Sequence, residues 1–515
     1  MTTSFQTARP SRSPGRALRI LLGALPLLAG LGAAEAQTLR IGMRDDPDIL
    51  DPTLSRTYVG TVVMTALCNK LFDFDEKLNI VPMLATGYEW TDEKNLIIRL
   101  RSGVTFHDGT PFDAAAVKYT LERHLSMQGS YRRSEIGAMG HAEVVDPLTV
   151  RVVMKRPFAP FVAVLTDRAG MMVSPRAAEA AGRDFGRAPV CAGPFRFVER
   201  VAQDRVVVQR YPGYWDAGRI HYDRVHYSIM PNSTARLANL QSGTLDLTEV
   251  APLDAETVTK DRRLALVSTP SLGYGSITIN LGDHPQARTP LAQDARVRRA
   301  FELSLDRKAL TEVVVAGLYE PAAQPTAPAS PLHVPSVTPS ARDIPRARAL
   351  LREAGVATPL KVSLLVYNTP QAVQSGEVIQ AMAAEAGFEV EVKAFEFGAA
   401  LTAVNNGELA MTLGGWSGLL DTDSNSWSFL HTGGALNMAR YSNPVVDAAL
   451  DRARESTDVA TRRAAYEEAW KQIGADLPLI YLWQTRNVAG VSRKVAGFRL
   501  LADGLIRLQD VRPAP

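Results

Sequence analysis

Gly415-Trp416-Ser417-Gly418-Leu419 is the stretch nearest to a nucleophile motif in this 515-residue chain. It approaches Gly-x-Ser-x-Gly, in which a serine stands on a sharp strand-to-helix turn, but a leucine replaces the last glycine. The turn needs small residues, so Ser417 is a weak nucleophile. Asp421 and Asp423 follow closely. Two such carboxylates can share a proton and divide acid and base roles, yet no substrate-binding motif accompanies them. The eight histidines are scattered. His221 and His226 lie on a strand-like stretch at an odd spacing, which turns them to opposite faces and makes them poor co-ligands. No HExxH, paired CxxC, Walker A or Rossmann glycine fingerprint occurs, and neither a metal site nor a cofactor is expected. A chain of this size without a catalytic constellation reads as a binder rather than an enzyme.

The chemistry of Cys68 and Cys191 depends on compartment. Arg9, Arg12, Arg16 and Arg19 form a positive N-terminal region, and Ile20–Leu31 is a short apolar core interrupted by Gly and Pro. Ala34-Glu35-Ala36 puts small residues at −3 and −1, so residues 1–36 read as a signal peptide cleaved after Ala36. No nearby cysteine suggests a lipid anchor, and no Arg-Arg pair suggests a twin-arginine signal. Export allows Cys68 and Cys191 to form a disulfide, which would contribute roughly 4 kcal/mol; the alternative is two buried thiols. Removing 1–36 also changes the charge. The whole chain has 57 Lys plus Arg and 54 Asp plus Glu, a net charge of +3, and the mature chain keeps 53 of each. Without a basic surplus a nucleic-acid partner is not expected.

The elements that must position these residues alternate between strand and helix. Thr38–Met43 and Asn95–Arg101 read as strands. Asp113 suits the N-cap of a helix through Ala114–Leu125. Further strands fall near 148–154, 195–209 and 225–230. Asp294 and Asp343 can open helices, the second ended by Gly355. Lys361–Val366, a helix through Val373–Ala386, and Glu389–Ala394 form a βαβ unit, which implies a parallel sheet. Asp458 opens a long helix ending near Pro478. Six prolines between Pro321 and Pro339 predict an extended covering loop.

Residues 81–118 are more specific. Val81–Trp90 leads into Leu100-Arg101-Ser102-Gly103-Val104-Thr105-Phe106-His107-Asp108-Gly109-Thr110-Pro111-Phe112-Asp113-Ala114. This resembles the signature of the dipeptide/oligopeptide-binding family, the family 5 extracellular solute-binding proteins of ABC importers. Ile49–Pro52, Ala192–Phe195, Tyr211–Asp216, Leu240–Asp246, Ala295–Phe301 and the Gly415–Gly418 loop resemble other family segments. His107, beside the turn formers Gly109 and Pro111, reads as structural. The resemblance implies an α/β, two-lobed periplasmic binding protein fold of cluster C type, with an extra subdomain in lobe I. Lobe I would span 37–274 plus 485–515, with the subdomain near 72–190, and lobe II 275–484. The crossings would lie near Gly273–Asn280 and Leu479–Trp483, where glycines can absorb a hinge rotation.

The resemblance also implies a periplasmic, monomeric receptor that captures peptides or peptide-like solutes for an inner-membrane ABC permease with separate ATPase subunits. Family alternatives are a metal chelate, haem, an opine or an oligosaccharide; an exported hydrolase is a further class. Trp416 is the expected pocket wall, with Tyr274, Tyr367 and Asn368 as further candidates. In relatives that hold a peptide's amino terminus, an acid stands three residues after the loop tryptophan. That position is Leu419 here, and leucine cannot balance a buried ammonium. Either Asp421 or Asp423 replaces the carboxylate, or the two belong to an Asp-rich turn capping Trp427–Leu430.

Overall fold

The computed structural model describes residues 37–515; residues 1–36, where the sequence places the signal peptide, lie outside the described residues. Local chemistry accounts for many elements. Asp113 accepts a hydrogen bond from the Ala116 amide at 3.0 Å and starts the helix Ala114–Ser126, whose Val117 and Leu121 are buried. Asp294, Asp343 and Asp458 cap Ala295–Ser304, Ile344–Glu353 and Val459–Asp476 in the same way, each satisfying an amide that a helix start leaves unpaired. The strand Leu360–Tyr367, the helix Pro370–Ala384 and the strand Phe388–Phe395 form the βαβ unit, and the two strands pair in parallel. Gly376 lets this helix approach its sheet, because a Cβ there would press on Val366 and Val392.

One eleven-stranded sheet carries most of the molecule. Its path runs Phe388–Phe395, Leu360–Tyr367, Met411–Trp416, Leu264–Ile279, Leu479–Ser492, Leu247–Glu249, Thr38–Met43, Arg224–Ile229, Arg205–Arg210 and Phe195–Val201, with Glu320–Pro321 added at Leu479–Ser492. The long strands Leu264–Ile279 and Leu479–Ser492 are antiparallel neighbours and lose register between Pro270 and Tyr274 and again between Gly275 and Ser276. Before the break, Leu264–Pro270 runs beside the part of its neighbour that also pairs with Leu247–Glu249. After it, Tyr274–Ile279 pairs with Met411–Trp416 on its other edge. The break therefore divides the sheet into an N-terminal and a C-terminal half. Gly273 and Gly275 are required here by close approach: a Cβ would collide with the Trp416 carbonyl or the Trp483 indole.

A second, four-stranded antiparallel sheet, ordered Ala85–Trp90, Asn95–Leu100, Thr149–Met154 and Met139–Asp146, packs with the helix Ala114–Ser126 around its own apolar core. Cys68 and Cys191 are bonded, with Cα atoms 4.8 Å apart. They join the two chain segments that lead into and out of this region. His107 binds the same point. Its Nε2 donates to the Gly193 carbonyl at 3.0 Å, and its Nδ1 accepts from the Cys191 amide at 3.4 Å. Burial pushes the imidazole down to about 4, so it is neutral at pH 7. The proline-rich segment is a packed covering loop: Ala322, Leu332 and Val334 join the core around Tyr466 and Trp470, and Gln324 hydrogen-bonds across the loop to Val334.

Candidate functional site

The loop after Met411–Trp416 is shaped by its own residues. Gly418 has φ +81°, and a Cβ there would strike the Leu272 backbone; only glycine meets both demands. Asn425 closes the loop from behind. Its Oδ1 accepts from Trp416 Nε1 at 3.0 Å and from the Leu419 amide at 2.7 Å, and its Nδ2 donates to the Leu419 carbonyl at 2.8 Å. Trp416 is half-buried and packs edge-on to Phe429.

This loop forms one wall of a cavity with about 600 Å³ of non-atom space, part of it open to solvent. Trp416, Ser417, Gly418, Leu419 and Leu420 contribute from the C-terminal half, with Leu272 at the register break. The facing wall carries Arg56, Tyr58, Thr166, Asp167, Arg168 and Asp503. A smaller adjoining cavity shares Thr166, Asp167, Leu419 and Leu420, and adds Glu135 and Asp421. One wall is thus uncharged at its rim and the other is dense in charge.

The charges on the facing wall differ in how completely they are paired. Asp503 is held by Arg507 at 2.9 and 2.8 Å; Arg507 also grips Asp73, which Lys70 reaches at 2.8 Å. Arg168 Nε stands 3.4 Å from Asp167 Oδ2, and its Nη1 donates to the Ser55 carbonyl at 3.3 Å. Arg132 Nη2 shares that carbonyl at 3.3 Å. Arg132 is 2% exposed, and its Nη1 lies 3.0 Å from Glu135 Oε1 without hydrogen-bond alignment; neither Nη1 nor Nε has a hydrogen-bond partner. Burial pushes the Glu135 carboxyl up, and Arg132 only partly offsets it. Burial acts on Asp167 in the same direction, but Arg168 and Arg132 outweigh it and hold that carboxyl below its ordinary value.

The residues expected from sequence are placed differently. Trp416 and Leu419 line the cavity. Asp421 and Asp423 are each engaged by an arginine rather than left free beside Leu419. Asp421 receives Arg462 at 2.8 and 2.7 Å, and Asp423 receives Arg454 at 3.0 and 2.9 Å, all four side chains being buried. Asp421 touches the smaller cavity with both oxygens already engaged. It also accepts from the Asp423 amide, capping the turn Thr422–Asn425 rather than Trp427–Leu430. Tyr274 is a core residue, 2% exposed, bonded to the Asn425 carbonyl at 3.3 Å and set edge-on to Tyr481. Tyr367 packs in a small cluster with Leu365 and Phe395, and Asn368 is exposed; neither lines either cavity. Ser417 makes no hydrogen bond to a histidine among the described residues.

Sequence reasoning missed Asn425 and the whole charged wall. One signal for the latter was present. Thr166-Asp167-Arg168 interrupts an otherwise apolar stretch running from Phe161 to Val173, and a charged pair so flanked has to be paired or functional.

The description "Bacterial extracellular solute-binding proteins, family 5 Middle" matches residues 79–437. The glutathione-binding protein GsiB of Pectobacterium atrosepticum is 31% identical over 477 residues, covering 90% of this chain and 91% of that protein. The periplasmic binding protein DppA of Helicobacter pylori, solved with the peptide STSA, has a TM-score of 0.82 at 23% identity, covering 93% of this chain and 98% of that one. The murein tripeptide binding protein MppA of Escherichia coli has a TM-score of 0.82 at 22% identity, covering 94% and 99%. The fold is therefore the two-lobed α/β fold of periplasmic binding proteins. With most of its length matched, the chain belongs to the family 5 bacterial extracellular solute-binding proteins.

Proposed function

We propose that the protein is the periplasmic receptor of an ABC importer and that it captures a small peptide-like solute of the glutathione type. The lobes are 37–274 with 485–515, and 275–484; the subdomain is 72–190. The observation that carries this reading is the cavity beside the register break, walled by the Trp416–Leu420 loop on one side and by charged side chains on the other. Rotation about the break opens and closes it. Closure removes water and strengthens polar contacts to the solute. The absence of an acid at Leu419 means that the solute's amine is held elsewhere. A separate permease and ATPase move the solute, and the receptor itself does no chemistry on it.

Calorimetry with glutathione and unmodified tripeptides tests the reading, followed by native mass spectrometry of the mixture. One solute per chain, retained intact with a Kd of about 10 μM or tighter, is expected. Turnover of the peptide, or binding only of a metal chelate, haem, opine or sugar, overturns it.

A further inference from the structure

The Asp167–Arg168 pair offers two opposite charges side by side on the cavity wall. Their contact is long, at 3.4 Å, and no other side chain completes either group with a short ion pair. Behind the wall, Arg132 converges with Arg168 on the Ser55 carbonyl and lies 3.0 Å from Glu135. The long contact leaves both wall charges short of a close partner, and a charged partner makes the strongest bond. The wall therefore suits a group that carries an ammonium and a carboxylate close together.

Ordinary peptides do not present such a group. In an extended α-linked tripeptide the ammonium and the carboxylate stand roughly 10 Å apart. A γ-linked glutamyl peptide keeps both charges on one carbon, as a free amino acid does. Resting on the reading of the protein as a peptide-type receptor, we propose that Asp167 and Arg168 form a subsite for an α-amino-acid head, selecting γ-glutamyl peptides over α-linked ones. Asp167 takes the ammonium and Arg168 takes the carboxylate, with Arg132 sharing the Ser55 carbonyl that holds Arg168 in place. The Trp416–Leu420 loop covers the rest of the solute with apolar surface and backbone groups.

The test compares four probes by calorimetry: glutathione, its α-linked isomer, the analogue without the α-amino group and the analogue without the α-carboxylate. The native protein is expected to prefer glutathione to the α-linked isomer by about a hundredfold or more. Asp167→Asn weakens glutathione by about thirtyfold but leaves the des-amino analogue within about twofold of the native affinity. Arg168→Gln does the same for glutathione and spares the decarboxylated analogue. Binding of the spared analogue also shows that each variant is folded. Equal affinity for the α-linked isomer overturns the proposal, as does an equal loss for every probe. If α-linked peptides bind and glutathione does not, the peptide-receptor reading stands and the subsite falls. If no peptide of either linkage binds, both fall.

Discussion

Two sets of arginine–carboxylate contacts flank the cavity, and they are built differently. Behind the Trp416–Leu420 loop, Arg462–Asp421 and Arg454–Asp423 are two-point contacts at 2.7 to 3.0 Å. Arg462 also bonds the Ala453 carbonyl, and Arg454 lies 4.0 Å over the Trp427 ring. Across the cavity, Arg168–Asp167 is a single 3.4 Å contact. Buried pairs that are fully bonded hold structure, because removing one partner strands the other. Buried groups that are incompletely bonded keep capacity for something else. Proximity to the motif loop therefore does not identify the binding charges; incomplete pairing does.

Removing one arginine behind the loop should have the largest effect on stability. Arg462→Ala strands Asp421 and is expected to lower unfolding free energy by about 4 kcal/mol, read by urea denaturation. A loss below about 1 kcal/mol would mean that the pair is not structural.

Acid should act on the other half. His107 is pushed down to about 4 by burial, and burial lowers His124 as well. An unfolded histidine titrates near about 6.5. The folded value is the lower one, so this contribution is complete above that pH and is lost as pH falls toward 4. Unfolding free energy should drop by about 2 kcal/mol for His107 between pH 7 and pH 5. The His107→Gln variant should lose that share of the slope. An unchanged slope in the variant would remove His107 as its source.

Asn425→Ala removes three hydrogen bonds that shape the uncharged wall. It should cost about 1.5 kcal/mol of stability and weaken solute binding by about tenfold. Unaltered binding would show that the loop keeps its form without the amide.

Arg168→Gln breaks one long contact and keeps a polar side chain, so it should have the smallest effect on stability, about 1 kcal/mol. It should nonetheless abolish most of the rise in unfolding temperature that glutathione gives the native protein. A variant that melts early and still binds would reverse the roles assigned to the two sets.

Local signals made much of the fold legible. Asp113, Asp294, Asp343 and Asp458 each open a helix because a cap acts on amides two or three positions away. The βαβ unit follows from hydrophobic periodicity within a single stretch. The Cys68–Cys191 bond is the one pairing open to a chain with two cysteines. The charges of the site were not legible in this way. Asp421 and Asp423 meet arginines 41 and 31 residues further along the chain, and no spacing rule links them. Arg132 and Arg168 converge on one carbonyl, Ser55, that lies more than seventy residues from either. Tyr274 sits beside the break but turns into the core, where it packs against Tyr481.

A crystal structure of the protein with glutathione tests the central claim most directly. The expected result places the glutamyl carboxylate about 3 Å from Arg168 and the ammonium about 3 Å from Asp167, with Asp421–Arg462 and Asp423–Arg454 still paired. Glutathione bound with its charges on Asp421 or Asp423, and Asp167 and Arg168 facing only one another, would contradict it.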